Sequence, residues 1–156
     1  MKKILSVTHN TKNIDIVLLV IRIVISFLML THGIPKLIML INGGTIEFPN
    51  VLGMGPELSL ILAVFAEVFC SMLVLVGLGT RLAVIPLIIT MLVASLIIHS
   101  SDPFSVKELS LHYLLIYGLL LFSGSGRFSI DGLVLENLQS GKNKRFTDRF
   151  QLLSNK

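Results

Sequence analysis

The sequence predicts an all-α fold, a four-helix bundle of an integral membrane protein with both termini in the cytoplasm. Three observations carry this expectation. Hydrophobic residues make up 53% of the 156 residues and charged ones only 14%, with a mean hydropathy of +0.86, whereas a soluble globule carries about 25% charge. Four apolar segments approach or exceed the roughly 20 residues needed to cross about 30 Å of hydrocarbon. Ten of the thirteen basic residues fall on one side of those segments. The length allows one domain, read as a cytoplasmic N-terminal segment (1–13), the four-helix domain (14–123) and a basic cytoplasmic tail (124–156). A single cysteine, Cys70, excludes an intrachain disulfide framework, a CxxC redox pair and a cysteine-based zinc cluster.

The first segment runs from Ile14 toward Ile41. It is longer than one crossing needs, and His32-Gly33-Ile34-Pro35 interrupts it. Pro35 removes an amide donor and crowds the preceding turn, so a kink is expected there. Asn42 to Pro56 is rich in Gly and Pro and reads as a connector, able to re-enter the membrane only where protein or water covers its backbone. The second segment, Leu58 to Leu78, has Glu67 as its one charge. Thirteen Leu, Ile, Val and Phe residues supply roughly 5 kcal/mol toward insertion, against about 2.5 to 3.5 kcal/mol for the acid, so the segment still spans. The third, Leu82 to Ile98, is uncharged. The fourth, Val106 to Phe122, begins with Lys107, Glu108 and His112; Ser105 and Glu108 match the S-x-x-E capping box that satisfies the first turn's orphan amides.

Lys2, Lys3 and Lys12 precede the first segment, Arg81 lies between the second and third, and Arg127, Lys142, Lys144, Arg145, Arg149 and Lys156 follow the fourth. The opposite side has only Lys36 and Lys107, so the positive-inside rule places both termini in the cytoplasm. The net charge of +4 then needs no nucleic-acid partner. The first apolar run is too long for a signal peptide, and no small-residue cleavage site follows it. Asp131-Gly132, followed by Leu133, Val134, Leu135 and Leu138, can start a short helix along the inner surface. The tail from Lys142 to Phe150 mixes basic and aromatic residues; it is either a solvated topogenic tail or a contact to anionic headgroups.

Ionisable side chains inside a membrane need partners. Arg22 lies about 12 Å of helical rise from Ile14 and Glu67 about 16 Å from Leu78, so their depths nearly match and an Arg22–Glu67 pair is expected. On the first segment Arg22, Ser26, Gly33 and Lys36 share a stripe, its ends about 40° apart around the axis. On the second, Ala63, Glu67 and Ser71 form an i, i+4, i+8 row beside Ala66 and Cys70, and small residues let membrane helices approach closely. The two stripes should face each other, as a structural ion pair or as a functional site. A second polar group gathers toward the other leaflet: His32, Lys36, His99, Asp102, Glu108 and His112. Its spacing matches no dedicated metal motif, and no metal site is expected. Glu108 and His112 stand at i, i+4 and can pair on one face. No Walker loop, GxSxG or GxGxxG is present, and Gly124-Ser125-Gly126 is too short to cradle a phosphate.

Arg22, then His32-Gly33-x-x-Lys36, then Glu67 with Gly77-Leu78-x-Thr80-Arg81, then Pro103-Phe104 before a Glu, and finally Gly124-x-Gly126-Arg127-x-Ser129-x-Asp131 together resemble the DoxX family. The resemblance covers nearly all of residues 14 to 132. Ser125 departs from it, standing where the family often has proline. The resemblance implies a four-helix membrane protein of bacteria. The family takes its name from a small subunit of an archaeal terminal quinol oxidase complex, and related proteins are linked to thiosulfate:quinone oxidoreduction and to redox-stress complexes. The positions that match its motifs are Arg22, His32, Gly33, Lys36, Glu67, Arg81, Arg127 and Asp131.

These readings lead to a quinone-linked or redox-associated subunit with an intramembrane polar site formed by Arg22, His32, Lys36, Glu67 and His112. Arg81, Arg127 and Asp131 would anchor helix ends, Asp131 pairing with one of the arginines. Quinone is the implied cofactor. The chain has no evident electron carrier, so a soluble redox partner on the cytoplasmic face is implied unless the chain merely binds quinol. Two alternatives stay open: a non-catalytic scaffold recruiting a soluble oxidoreductase through Arg127, Asp131 and the tail, and a small-solute carrier, which four helices could serve only as a homo-oligomer.

Overall fold

The computed structural model describes residues 11–44 and 46–138. Among the described residues four helices are long and apolar enough to cross a membrane: α1 (Thr11–Asn42), α2 (Pro56–Val76), α3 (Thr80–Ile98) and α4 (Phe104–Ser123). No strand occurs among the described residues. A fifth helical stretch, α5, covers 130–138; the basic stretch from Lys142 to Phe150 lies outside the described residues. The helices pack in chain order, α1 on α2, α2 on α3 and α3 on α4, and α4 closes back on α1.

Local chemistry accounts for most boundaries. Pro56 occupies the first turn of α2, where its missing amide costs nothing. The helix ends at Gly77, whose φ of 73° is the left-handed conformation that favours glycine. There the amides of Gly77 and Leu78 both donate to Leu73 O. Pro35 lies inside α1, which continues past it for seven further residues to Asn42. The start of α4 differs from expectation. Pro103 is the N-cap, no side chain caps the turn, and Ser105 is already the second helical residue. Pro103 has a φ of −56° and a ψ of 153°, which sets the chain entry two residues earlier than the Ser105–Glu108 box requires.

Two stretches are wound as π-helix, Phe65–Cys70 in α2 and Ala94–Ile98 in α3. Such single wide turns concentrate at functional sites, and the first is centred on Glu67. Met29, Leu60, Val74, Val84, Leu87, Tyr117 and Leu120 form a fully buried core. The outer faces carry Val17, Phe27, Ile38, Phe69, Ile89, Leu115 and Phe122, all exposed. An apolar surface of this extent is unsuited to water and matches lipid, which replaces water as the solvent of the outer face.

Candidate functional site

Gly33 brings α1 onto the π-turn of α2. A Cβ built there would stand 2.8 Å from Val68 Cγ2 and 3.0 Å from the backbone carbon of Glu67, so only glycine permits this approach. One turn further along α1, Lys36 Nζ meets Glu67 Oε1 at 2.5 Å. The carboxylate is 2% exposed and the lysine 29%, a geometry in which a long aliphatic stem delivers its charge inward from the rim. The second carboxylate oxygen, Glu67 Oε2, is buried without a hydrogen-bond partner among the described residues.

The pair lies in a partly open, largely apolar pocket of about 360 Å³. Leu62 and Ala63 of α2 and Ile89, Val93 and Ala94 of α3 form its walls, and Phe48, Pro49, Val51, Leu52 and Met54 of the connector cover one side. Ser59 holds that cover: its Oγ accepts from the Val51 amide at 3.1 Å and donates to Gly55 O at 2.7 Å. Asn50 Oδ1 accepts from the Gly55 amide at 2.8 Å. The Phe48 ring centroid is 5.8 Å from Lys36 Nζ, within cation–π range. His99 also lines the pocket, its Nδ1 2.6 Å from Asp102 Oδ2, a bond that fixes the ring's orientation.

Arg22 does not pair with Glu67. Its Nε donates to Val74 O at 3.0 Å and Nη2 to Leu75 O at 3.1 Å. Nη1 donates to Ser125 O at 2.6 Å and to Phe128 O at 3.0 Å. The guanidinium thus caps the orphan carbonyls that end α2 and ties them to the turn after α4. The reason is register. Gly33 lies against Glu67, so Arg22, eleven residues back along an antiparallel helix, falls level with the end of α2. A cation at a helix C-terminus is favoured by the backbone dipole.

Two other pairings are corrected. Asp131 joins neither Arg81 nor Arg127; its carboxylate accepts from the amides of Gly79 at 2.9 Å and Thr80 at 3.3 Å, capping α3 from outside the helix. Arg81 Nη2 donates to Phe122 O at 3.1 Å, and Arg127 pairs with Glu136 at 2.6 Å. His112 turns its Nδ1 to the backbone oxygen of Glu108 at 2.8 Å, one helical turn back, and not to the carboxylate. His32 is exposed and stands edge-on to Tyr113, ring centroids 6.0 Å apart. Of the five residues expected at one intramembrane site, the pocket lining includes Lys36 and Glu67 and omits Arg22, His32 and His112. Sequence reasoning passed over Ser59 and Phe48, whose signals, a serine in the first turn after Pro56 and an aromatic in a polar connector, are weak. It grouped His99 with Asp102 without placing either at a site.

Asp131→Ala is expected to cost about 1–2 kcal/mol, the worth of a helix cap, seen as a lower thermal midpoint in detergent. Asp131→Asn should recover most of it; an unchanged midpoint in the alanine variant would remove the cap from the account.

Fold and site together define a helical membrane bundle with a buried acid–base pair in an apolar pocket. Within that class the chain belongs to the DoxX family: the DoxX family model matches residues 17–100, more than half of the 156 residues, and takes in both members of the pair. No curated protein and no solved structure matches the chain.

Proposed function

We propose that the pocket over Lys36 and Glu67 binds the headgroup of a quinone or quinol, and that the protein is a redox-associated subunit in the cell membrane. The observation that carries this reading is a buried carboxylate with one oxygen on Lys36 and the other unpartnered among the described residues, set in an apolar pocket of about 360 Å³. That volume lies within the range of small-ligand sites, which pair apolar walls with few polar groups. The fit is chemical: Lys36 Nζ can donate to a carbonyl oxygen, and Glu67 Oε2 can accept from a hydroxyl. When bound, a quinol would supply two electrons to a partner electron carrier and two protons, which would pass in turn through Glu67 to water at the open side of the pocket. The chain's own part is to orient the ring, exclude water with the connector and hold a proton at Glu67. The excess of basic residues supports placing both termini in the cytoplasm, which puts the pocket and its connector toward the opposite face.

The test is quinone extraction from the full chain purified with its native lipids. Wild type should retain quinone, and Glu67→Gln should weaken binding of a short-chain quinone about tenfold, as loss of a charge-assisted hydrogen bond does. No retained quinone in the wild type, or equal binding by the variant, would overturn the reading.

A further inference from the structure

The end of the bundle opposite the pocket carries a second cleft, of about 680 Å³, formed by the α2–α3 turn, the end of α4 and the start of α5. Two arginines line it, Arg81 and Arg127. Arg81 is held in place: Nη2 donates to Phe122 O at 3.1 Å. Its guanidinium also lies against Gly124, where a Cβ would come within 3.3 Å of Nε. Glycine at φ 80° therefore seats the cation on the turn. Among the described residues no carboxylate pairs with Arg81, since Asp131, in the same cleft, is spent on the amides of Gly79 and Thr80. Arg127 is paired with Glu136, but both side chains are more than half exposed, and such pairs are worth little.

The rim of the cleft is apolar. Leu82 is 75% exposed, and Leu78, Val134 and Leu135 are also exposed. The cleft adjoins the ends of three membrane-length helices, the level at which headgroups meet acyl chains. A preset guanidinium beside a second arginine suits a tetrahedral oxyanion, and the exposed leucines suit hydrocarbon. We propose that this cleft seats the phosphate of an anionic phospholipid between Arg81 and Arg127, its acyl chains lying along Leu78, Leu82, Val134 and Leu135. An anionic lipid brings no second cation among the two guanidiniums and is therefore taken in preference to a zwitterionic one, its phosphate exchanging with the weakly held Glu136 on Arg127.

The experiment is native mass spectrometry of the full chain in detergent, titrated separately with phosphatidylglycerol, phosphatidylcholine and glycerol 1-phosphate. Wild type should bind phosphatidylglycerol in preference to phosphatidylcholine. Arg81→Gln should reduce that binding about fivefold, the effect of one surface arginine on anionic lipid, and Glu136→Gln should raise it by freeing Arg127. Should Arg81→Gln fail to fold, Arg127→Gln and Glu136→Gln must still move binding in opposite directions. Equal affinity for the two lipids, or no response to these substitutions, would overturn the proposal. Glycerol 1-phosphate binding as tightly as phosphatidylglycerol would overturn the lipid assignment in favour of a free phosphate ester.

Discussion

Replacing Arg22 by methionine is expected to destabilise the bundle by about 3–5 kcal/mol, at the upper end of single-substitution effects. Four carbonyls, of Val74, Leu75, Ser125 and Phe128, lose their donor at once. A hydrogen bond to a charged group contributes about 1.5–3 kcal/mol, but bonds from a single side chain are not additive. The site is also tightly closed: a Cβ on Gly77 would come within 2.7 Å of Arg22 Cζ and 2.5 Å of Ser129 Cβ. Water therefore has little room to replace the guanidinium. Arg22→Lys should recover only part of the loss, since an ammonium cannot span acceptors on two separate segments as the planar fork does. The measurement is reversible unfolding in mixed micelles. Wild-type stability in both variants would mean that the α2 terminus and the 124–129 turn do not depend on this side chain.

Lys36→Met is the second large effect. It leaves Glu67, 2% exposed, without its cation. Breaking a buried ion pair from one side costs about 3–5 kcal/mol; because Lys36 is partly exposed, about 2 kcal/mol is expected. Adding Glu67→Leu should then restore stability to within about 1 kcal/mol of wild type, because removing both charges also removes their desolvation cost. A double-mutant cycle under the same unfolding conditions reads the coupling. Additive single effects would show that the two side chains do not interact in the folded protein.

The bundle was legible because membrane insertion depends on a sum over each segment's own residues. The segments beginning at Ile14, Leu58, Leu82 and Val106 appear as helices whose ends lie within a few residues of those expected. The stripe from Arg22 to Gly33 was legible for the same reason: Arg22, Ser26 and Gly33 are all buried, as a period of about 3.6 requires. The choice of partner was not legible. The match between Arg22 and Glu67 assumed that Ile14 and Leu78 sit at one depth. Contact between Gly33 and Glu67 sets a different register, moving Arg22 to the end of α2 and bringing Lys36 to the acid. The wide turn around Glu67 left no sequence signal either, since Phe65-Ala66-Glu67-Val68-Phe69-Cys70 suits an α-helix equally well.

Sequence alone determined the helical class, the number of spans, the family and the residues whose burial in lipid demands a partner. Each of these follows from composition or period within a segment, or from the order of motifs along the chain. Tertiary structure decided which partner each charge takes, that the 48–54 part of the connector covers the acid–base pair, and that two arginines 46 positions apart line one cleft. Helix offset and rotation made those choices. They are set by close contacts such as Gly33 on Glu67 and Gly124 beneath Arg81, between residues far apart in the chain.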